Sequence, residues 1–202
     1  MNALGNLAMD QVSKEFEKTK AQMTTPKSKI NWDDFNWPPF IRIAHFSLQE
    51  LREPHFGIVK KYYWLLLLQV VHVIFNLINQ IIQTAVGYSG LRILAWFLIM
   101  LIITSAAGYS FHNAYRAICD NKDYFFKHRI AAGLVLAIYL PMIIANTLNF
   151  DGAVRANRMF SDEHAFAGVM IIIEIIYIIL LAAFQVYLIV LSSKWDKPPV
   201  DY

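Results

Sequence analysis

The chain has 202 residues, of which 57% are hydrophobic and only 16% charged, and its net charge is +3. About a quarter of the residues in an average soluble domain are charged, so this composition excludes that class and implies an integral membrane protein. So small a positive excess, spread beside apolar runs, argues against nucleic acid as a partner. The lone Cys119 excludes an intrachain disulfide and reads as a small interfacial apolar residue.

Residues 1–29 are polar, with Met9, Val12, Phe16 and Met23 at helical steps. That spacing permits one amphipathic helix, and the composition permits a disordered cytosolic tail as readily. No secretory signal is expected, because about sixty residues too polar for one precede the first long apolar run. Residues 30–61 form a juxtamembrane segment in which Pro38, Pro39 and Pro54 forbid a long helix. Asn36, Trp37, Pro38 and Pro39 read as a short polyproline turn, with Trp32, Phe35 and Phe40 around it for the headgroup layer.

Four apolar runs follow, at about residues 62–86, 91–109, 130–150 and 166–191, so the fold class is all-α: a polytopic membrane protein of four transmembrane helices. Lys60 and Lys61, then Tyr62, Tyr63 and Trp64, announce the first span as an interfacial belt. Its polar residues, Gln69, His72, Asn76, Asn79 and Gln83, recur at steps of three and four and so share one stripe that must face protein or water. Residues 87–90 make a tight hairpin into the second span, where Arg92 is expected to snorkel to the interface. Thr104, Ser105, Ala106, Ala107 and Gly108 are small enough to admit a neighbouring helix, or a second copy of the chain. Pro141 should kink the third span, and residues 151–165 read as a connection to the fourth.

Residues 110–129, SFHNAYRAICDNKDYFFKHR, are read as a cytosolic loop. Phe111, Ala114, Tyr115, Ile118 and Cys119 share one helical face, which predicts an amphipathic helix lying in the membrane interface. Lys122, Lys127 and Arg129, interleaved with Phe125 and Phe126, add cations for phosphate headgroups. Phe111, His112, Tyr115, Arg116, Lys122, Phe125, Phe126, Lys127 and Arg129 are therefore the candidate anionic-lipid site, the rival reading being a loop whose charges only fix orientation. Fifteen lysines and arginines fall before the first span, in this loop and in the tail of residues 192–202; only Arg92, Arg155 and Arg158 belong to the other side. Both termini and the loop are accordingly expected in the cytosol.

Glu174 is the one acid inside a span, and burying it costs several kcal/mol unless it is protonated or hydrogen-bonded. Counted from the other end of the antiparallel first span, its depth matches Asn76, Asn79 and Gln80, roughly 12 Å in. The stripe with Glu174 could set helix packing, or it could serve a small transporter or channel, the alternative function. No phosphate loop, HExxH, CxxC or GxSxG is present and the six histidines lack ligand spacing, so neither catalysis, a cofactor nor a metal is expected. Tyr115-Arg116-Ala117-Ile118 matches a tyrosine-based sorting pattern, though Tyr115 and Ile118 also belong to the apolar face.

The Asn36-Trp37-Pro38-Pro39 segment, the lysine and aromatic lead into the first span, Trp96, Phe97 and Leu98 in the second, the aromatic-basic loop, and Gly168-Val169-Met170-Ile171-Ile172-Ile173 opening the fourth together resemble the secretory carrier-associated membrane proteins, the SCAMP family. The resemblance implies a tetraspan, non-enzymatic protein of post-Golgi, endosomal and plasma-membrane recycling traffic, acting in exocytosis and endocytosis with other trafficking proteins. It also implies phosphoinositide binding through the loop between spans two and three, where Phe111 and Tyr115 keep the family's aromatic positions while His112 replaces arginine and Asn113 replaces proline.

Overall fold

The computed structural model describes residues 30–34, 36, 45–47, 51, 55–120, 122–145 and 152–194. The first 29 residues, Trp37, Pro38, Pro39 and the tail beyond Lys194 lie outside that set, so the N-terminal helix and most of the proline turn do too. The chain forms two compact units, residues 1–46 with 198–202, and residues 47–197. In the first, Asp34 N–H donates to the Asn31 carbonyl in a turn, the Asp34 carbonyl meets His45 Nδ1 at 2.9 Å, and Asn36 Oδ1 accepts from the Phe46 amide at 2.9 Å.

The second unit is helical, with no strand among its described residues: α1 (His55–Ala85), α2 (Leu91–Cys119), α3 (Tyr124–Ile144), α4 (Ala153–Ser161) and α5 (Ala165–Ser193). All but α4 are long and apolar enough to cross a membrane. The burial pattern is inverted relative to a soluble bundle. In α1 the amides and His72 are buried while Val71, Ile74, Ile78 and Ile81 are exposed, because lipid solvates aliphatic side chains and only protein can satisfy the polar ones. The long helices pack in a ring, α1 on α2, α2 on α3, α3 on α5 and α5 back on α1, with α4 lying against α5.

Two helix ends show how the turns are made. Gly87 takes φ +97°, its N–H donating to the Thr84 carbonyl while Tyr88 N–H reaches the Gln83 carbonyl, a Schellman stop that turns the chain into α2. Glu163 does the same after α4 at φ 62°, with Glu163 and His164 amides on the Phe160 and Met159 carbonyls. There a side chain bears the steric cost that glycine avoids.

Four expectations from the sequence are corrected here. The interfacial loop helix is absent as a separate element: residues 110–119 simply continue α2, and residues 124–129 begin α3. An apolar helical face has the same spacing whether it lies on lipid or on another helix, and here Ala114, Tyr115, Ala117 and Ile118 pack into protein with no exposure. Arg92 does not snorkel; it is 2% exposed, with Nε donating to Gln80 Oε1 on α1. The third span ends at Ile144, three residues after Pro141, which lies in the last turn and accepts the Ala145 amide. The connection before the fourth span contains α4, whose Ala156 and Met159 pack with Ala167 and Ile171. Arg155 sits 4.5 Å over the Tyr88 ring and Tyr88 Oη donates to Asp162, which fixes α4 to the α1–α2 turn.

Candidate functional site

Two constellations stand out, one buried at mid-span and one at the end of the bundle that carries Lys60, Lys61, Lys122 and Arg129, called here the basic end. The buried one is built on facing stripes of α1 and α5. On α5, Glu174, Ile178, Leu181, Gln185, Leu188 and Ser192 recur at steps of four and three and are all buried. Glu174, 2% exposed, receives the side-chain amides of Asn76 on Oε1 and Asn79 on Oε2, with His72 Nε2 at 3.3 Å from Oε1. Asn79 Nδ2 also reaches the Met170 carbonyl at 3.3 Å. Toward the basic end, Gln69 donates to Gln185 Oε1 at 2.9 Å, and Gln185 Nε2 donates to the Ala132 carbonyl of α3 at 2.8 Å, so one amide joins three helices.

His72 is wedged between two rings. Tyr139 of α3 meets it edge-on, centroids 5.4 Å apart, and Tyr177 of α5 stacks at 6.0 Å while donating its hydroxyl to the Leu68 carbonyl. The depth count thus pairs Glu174 with Asn76 and Asn79 as expected, but Gln80 turns away to Arg92. Gln83, the last of the stripe, is buried near the end of α1. Gln185, Tyr139 and Tyr177 were missed from the sequence; Gln185 had a legible signal, since it lies three helical turns from Glu174 on the same face. The two tyrosines had none, because belt tyrosines and buried ones look alike in sequence. Among the described residues no three His, Cys, Asp or Glu are grouped as a metal would require.

At the basic end the nine residues proposed for lipid separate into three sets. Phe111 (4% exposed), Tyr115 (0%) and Phe125 are buried in the bundle, which corrects the expectation that they face the interface. His112 and Arg116 are half-buried, while Lys122, Phe126, Lys127 and Arg129 are exposed, Phe126 by 70%. What holds the end of α2 inside is a polar tie: His128 Nδ1 of α3 lies 2.9 Å from Ser110 Oγ, and the same imidazole meets the Tyr62 ring edge-on at 5.1 Å. Tyr62 in turn donates its hydroxyl to the Leu188 carbonyl of α5 at 2.8 Å. The Tyr124 ring lies 4.4 Å from the Arg116 guanidinium and 5.0 Å from Lys127 Nζ, so two cations bracket one aromatic group where α2 turns into α3. Between that turn and the end of α5 opens a cavity of about 490 Å³ lined by Lys122, Asp123, Phe125, Phe126, Arg129, Ser192 and Ser193. Burial of Tyr115 and Ile118 also removes the tyrosine-based sorting pattern from the surface.

Comparison with known families gives one decisive finding: the SCAMP family model matches residues 34–197. The chain belongs to the SCAMP family. That membership and the four apolar spans make it an integral membrane protein of vesicle trafficking. The match takes in every described helix, including the Glu174 cluster and the basic end. No curated protein and no solved structure matches the chain.

Proposed function

We propose that this SCAMP-family protein is a non-enzymatic component of post-Golgi, endosomal and plasma-membrane traffic whose basic end faces the cytosol and seats an anionic lipid headgroup. The observation that carries the reading is the cavity between the α2–α3 turn and the end of α5, where Lys122 and Arg129 outnumber the one acid, Asp123, beside exposed Phe126. The cations suit phosphate oxygens and the phenyl ring suits the acyl boundary, while the Ser192 and Ser193 hydroxyls are donated to the Ile189 and Val190 carbonyls. On this reading Lys122, Phe126, Lys127 and Arg129 meet the lipid, and Phe111 and Tyr115 act only by holding the end of α2. The orientation rests on the excess of lysine and arginine at this end over the three arginines of the other side. Other trafficking proteins are the expected partners.

The transporter alternative has less support. Toward the basic end, Tyr62, Leu65, Leu66, Gln69, Ala107, Ser110 and Phe111 line a cavity of only about 10 Å³, about one water at most.

The test is binding of a phosphoinositide to the full chain in vesicles otherwise made of neutral lipid. Each cation near an anionic surface contributes about 1 kcal/mol, so Lys122→Gln with Arg129→Gln should weaken binding about 30-fold. Tyr115→Phe should leave it unchanged. Equal affinity of the double variant and the wild type would refute the site.

A further inference from the structure

Glu174 is enclosed by the bundle, and the groups that face it differ in what they can do with a proton. From α1 come His72, Asn76 and Asn79; from α3, the Tyr139 ring edge against His72; from α5 itself, Tyr177 stacked on the same imidazole. Of the cations on neighbouring elements, Arg92 of α2 donates to Gln80 and Arg155 of α4 lies over Tyr88, both toward the end opposite the basic one. Asparagine amides donate but take up no proton near neutrality; histidine and glutamate do.

With a hydrogen on Nε2 facing the carboxylate, the basic nitrogen of His72 is Nδ1, and that atom is buried without a hydrogen-bond partner. Asn76 Oδ1 and Asn79 Oδ1 are likewise buried acceptors without one. The cluster therefore satisfies the carboxylate with donors while leaving acceptors unfilled around it. A buried acceptor of this kind is costly in hydrocarbon unless something supplies a hydrogen.

We infer that His72 and Glu174 form an intramembrane proton-binding site, an acid–base pair that takes up and releases one proton. The incoming proton bonds to His72 Nδ1 or to a Glu174 oxygen, the pair passes from one negative charge to none, and release reverses the step. Nothing is oxidised or reduced.

Infrared difference spectroscopy of the full chain in vesicles, with the proton as probe and pH stepped between about 4 and 9, tests this. Carboxylic-acid and imidazole bands should respond to pH in the wild type and in Glu163→Gln. The part of the carboxyl response lost in Glu174→Gln, against the background of the chain's other acids, is that of Glu174, and its midpoint should move at least tenfold in proton concentration in His72→Asn. A spectrum of these groups that ignores pH, or a His72→Asn midpoint identical to the wild type, overturns the pair. If protease on sealed cells cuts at Lys122, the proposed orientation fails and the proton site stands.

Discussion

His72 of α1 and Glu174 of α5 approach to 3.3 Å, Nε2 to Oε1, in the middle of a bundle whose outward faces are largely aliphatic. The contact ties together the first and last membrane-crossing helices, which are separated by about a hundred residues of chain. Asn76 and Asn79 reinforce it from the same stripe, and Gln69 with Gln185 repeats it toward the basic end.

Polar bonds between membrane helices are individually modest, about 0.6 kcal/mol on average and up to about 1.7. Asn79→Ala and Glu174→Gln should each lower stability by about that much. Their double-mutant cycle should show a coupling of about 0.5–2 kcal/mol. Reversible unfolding in mixed detergent measures it, and independent effects would mean that the pair does not interact.

Gln185 receives from one helix and donates to the backbone of another, whereas Gln69 meets only side chains, those of Gln185 and Tyr139. Gln185→Leu should therefore lose more stability than Gln69→Leu, by about 1 kcal/mol. Thermal unfolding of the two variants in the same detergent decides the order.

Tyr115 is fully buried, and its hydroxyl lies 3.4 Å from the Ser47 carbonyl. Removing only that hydroxyl should cost less than about 1 kcal/mol, whereas Tyr115→Ala should cost about 3–5 kcal/mol through the cavity it opens. Since the side chain is inaccessible, Tyr115→Phe should also leave internalisation of the protein unchanged. Slower internalisation of a stably folded Tyr115→Phe variant would show that the tyrosine is read by a sorting adaptor.

A Cβ on Gly152 would stand 2.5 Å from the Ile143 carbonyl atoms, and only a backbone shift relieves that. A Cβ on Gly108 would meet nothing within 4 Å. Gly152→Ala should lower the unfolding midpoint and loosen α4, while Gly108→Ala should leave it the same or raise it by about 0.5–1 kcal/mol equivalent. Protease susceptibility at Arg155 and Arg158 reports the first, and thermal unfolding the second.

Glu163 holds a left-handed backbone that a side chain adopts at a cost of about 1–2 kcal/mol. Glu163→Gly should thus stabilise the protein by about 1 kcal/mol, unless the added freedom of the unfolded chain offsets it. A lower midpoint would mean that the Glu163 side chain contributes more to the fold than its backbone strain removes.

How much of this was legible in the amino-acid order follows from what each signal measures. Four apolar runs between basic and aromatic belts fixed the number of spans, because no soluble packing hides that much aliphatic surface. The three- and four-residue steps from Gln69 to Gln83 fixed a polar face, and depth counting brought Glu174 to Asn76 and Asn79, because helical rise is constant. What spacing could not decide was the neighbour. Phe111 and Tyr115 present the same periodicity to a bilayer as to α1 and α3, and only the packing of Ala114, Ala117 and Ile118 with no exposed surface places them inside protein. Gln80 could have faced Glu174 or Arg92; the rotation of α1 against α2 chose Arg92. A helix carries its own period in its sequence, whereas which helix lies against which face is settled by contacts between residues far apart in the chain.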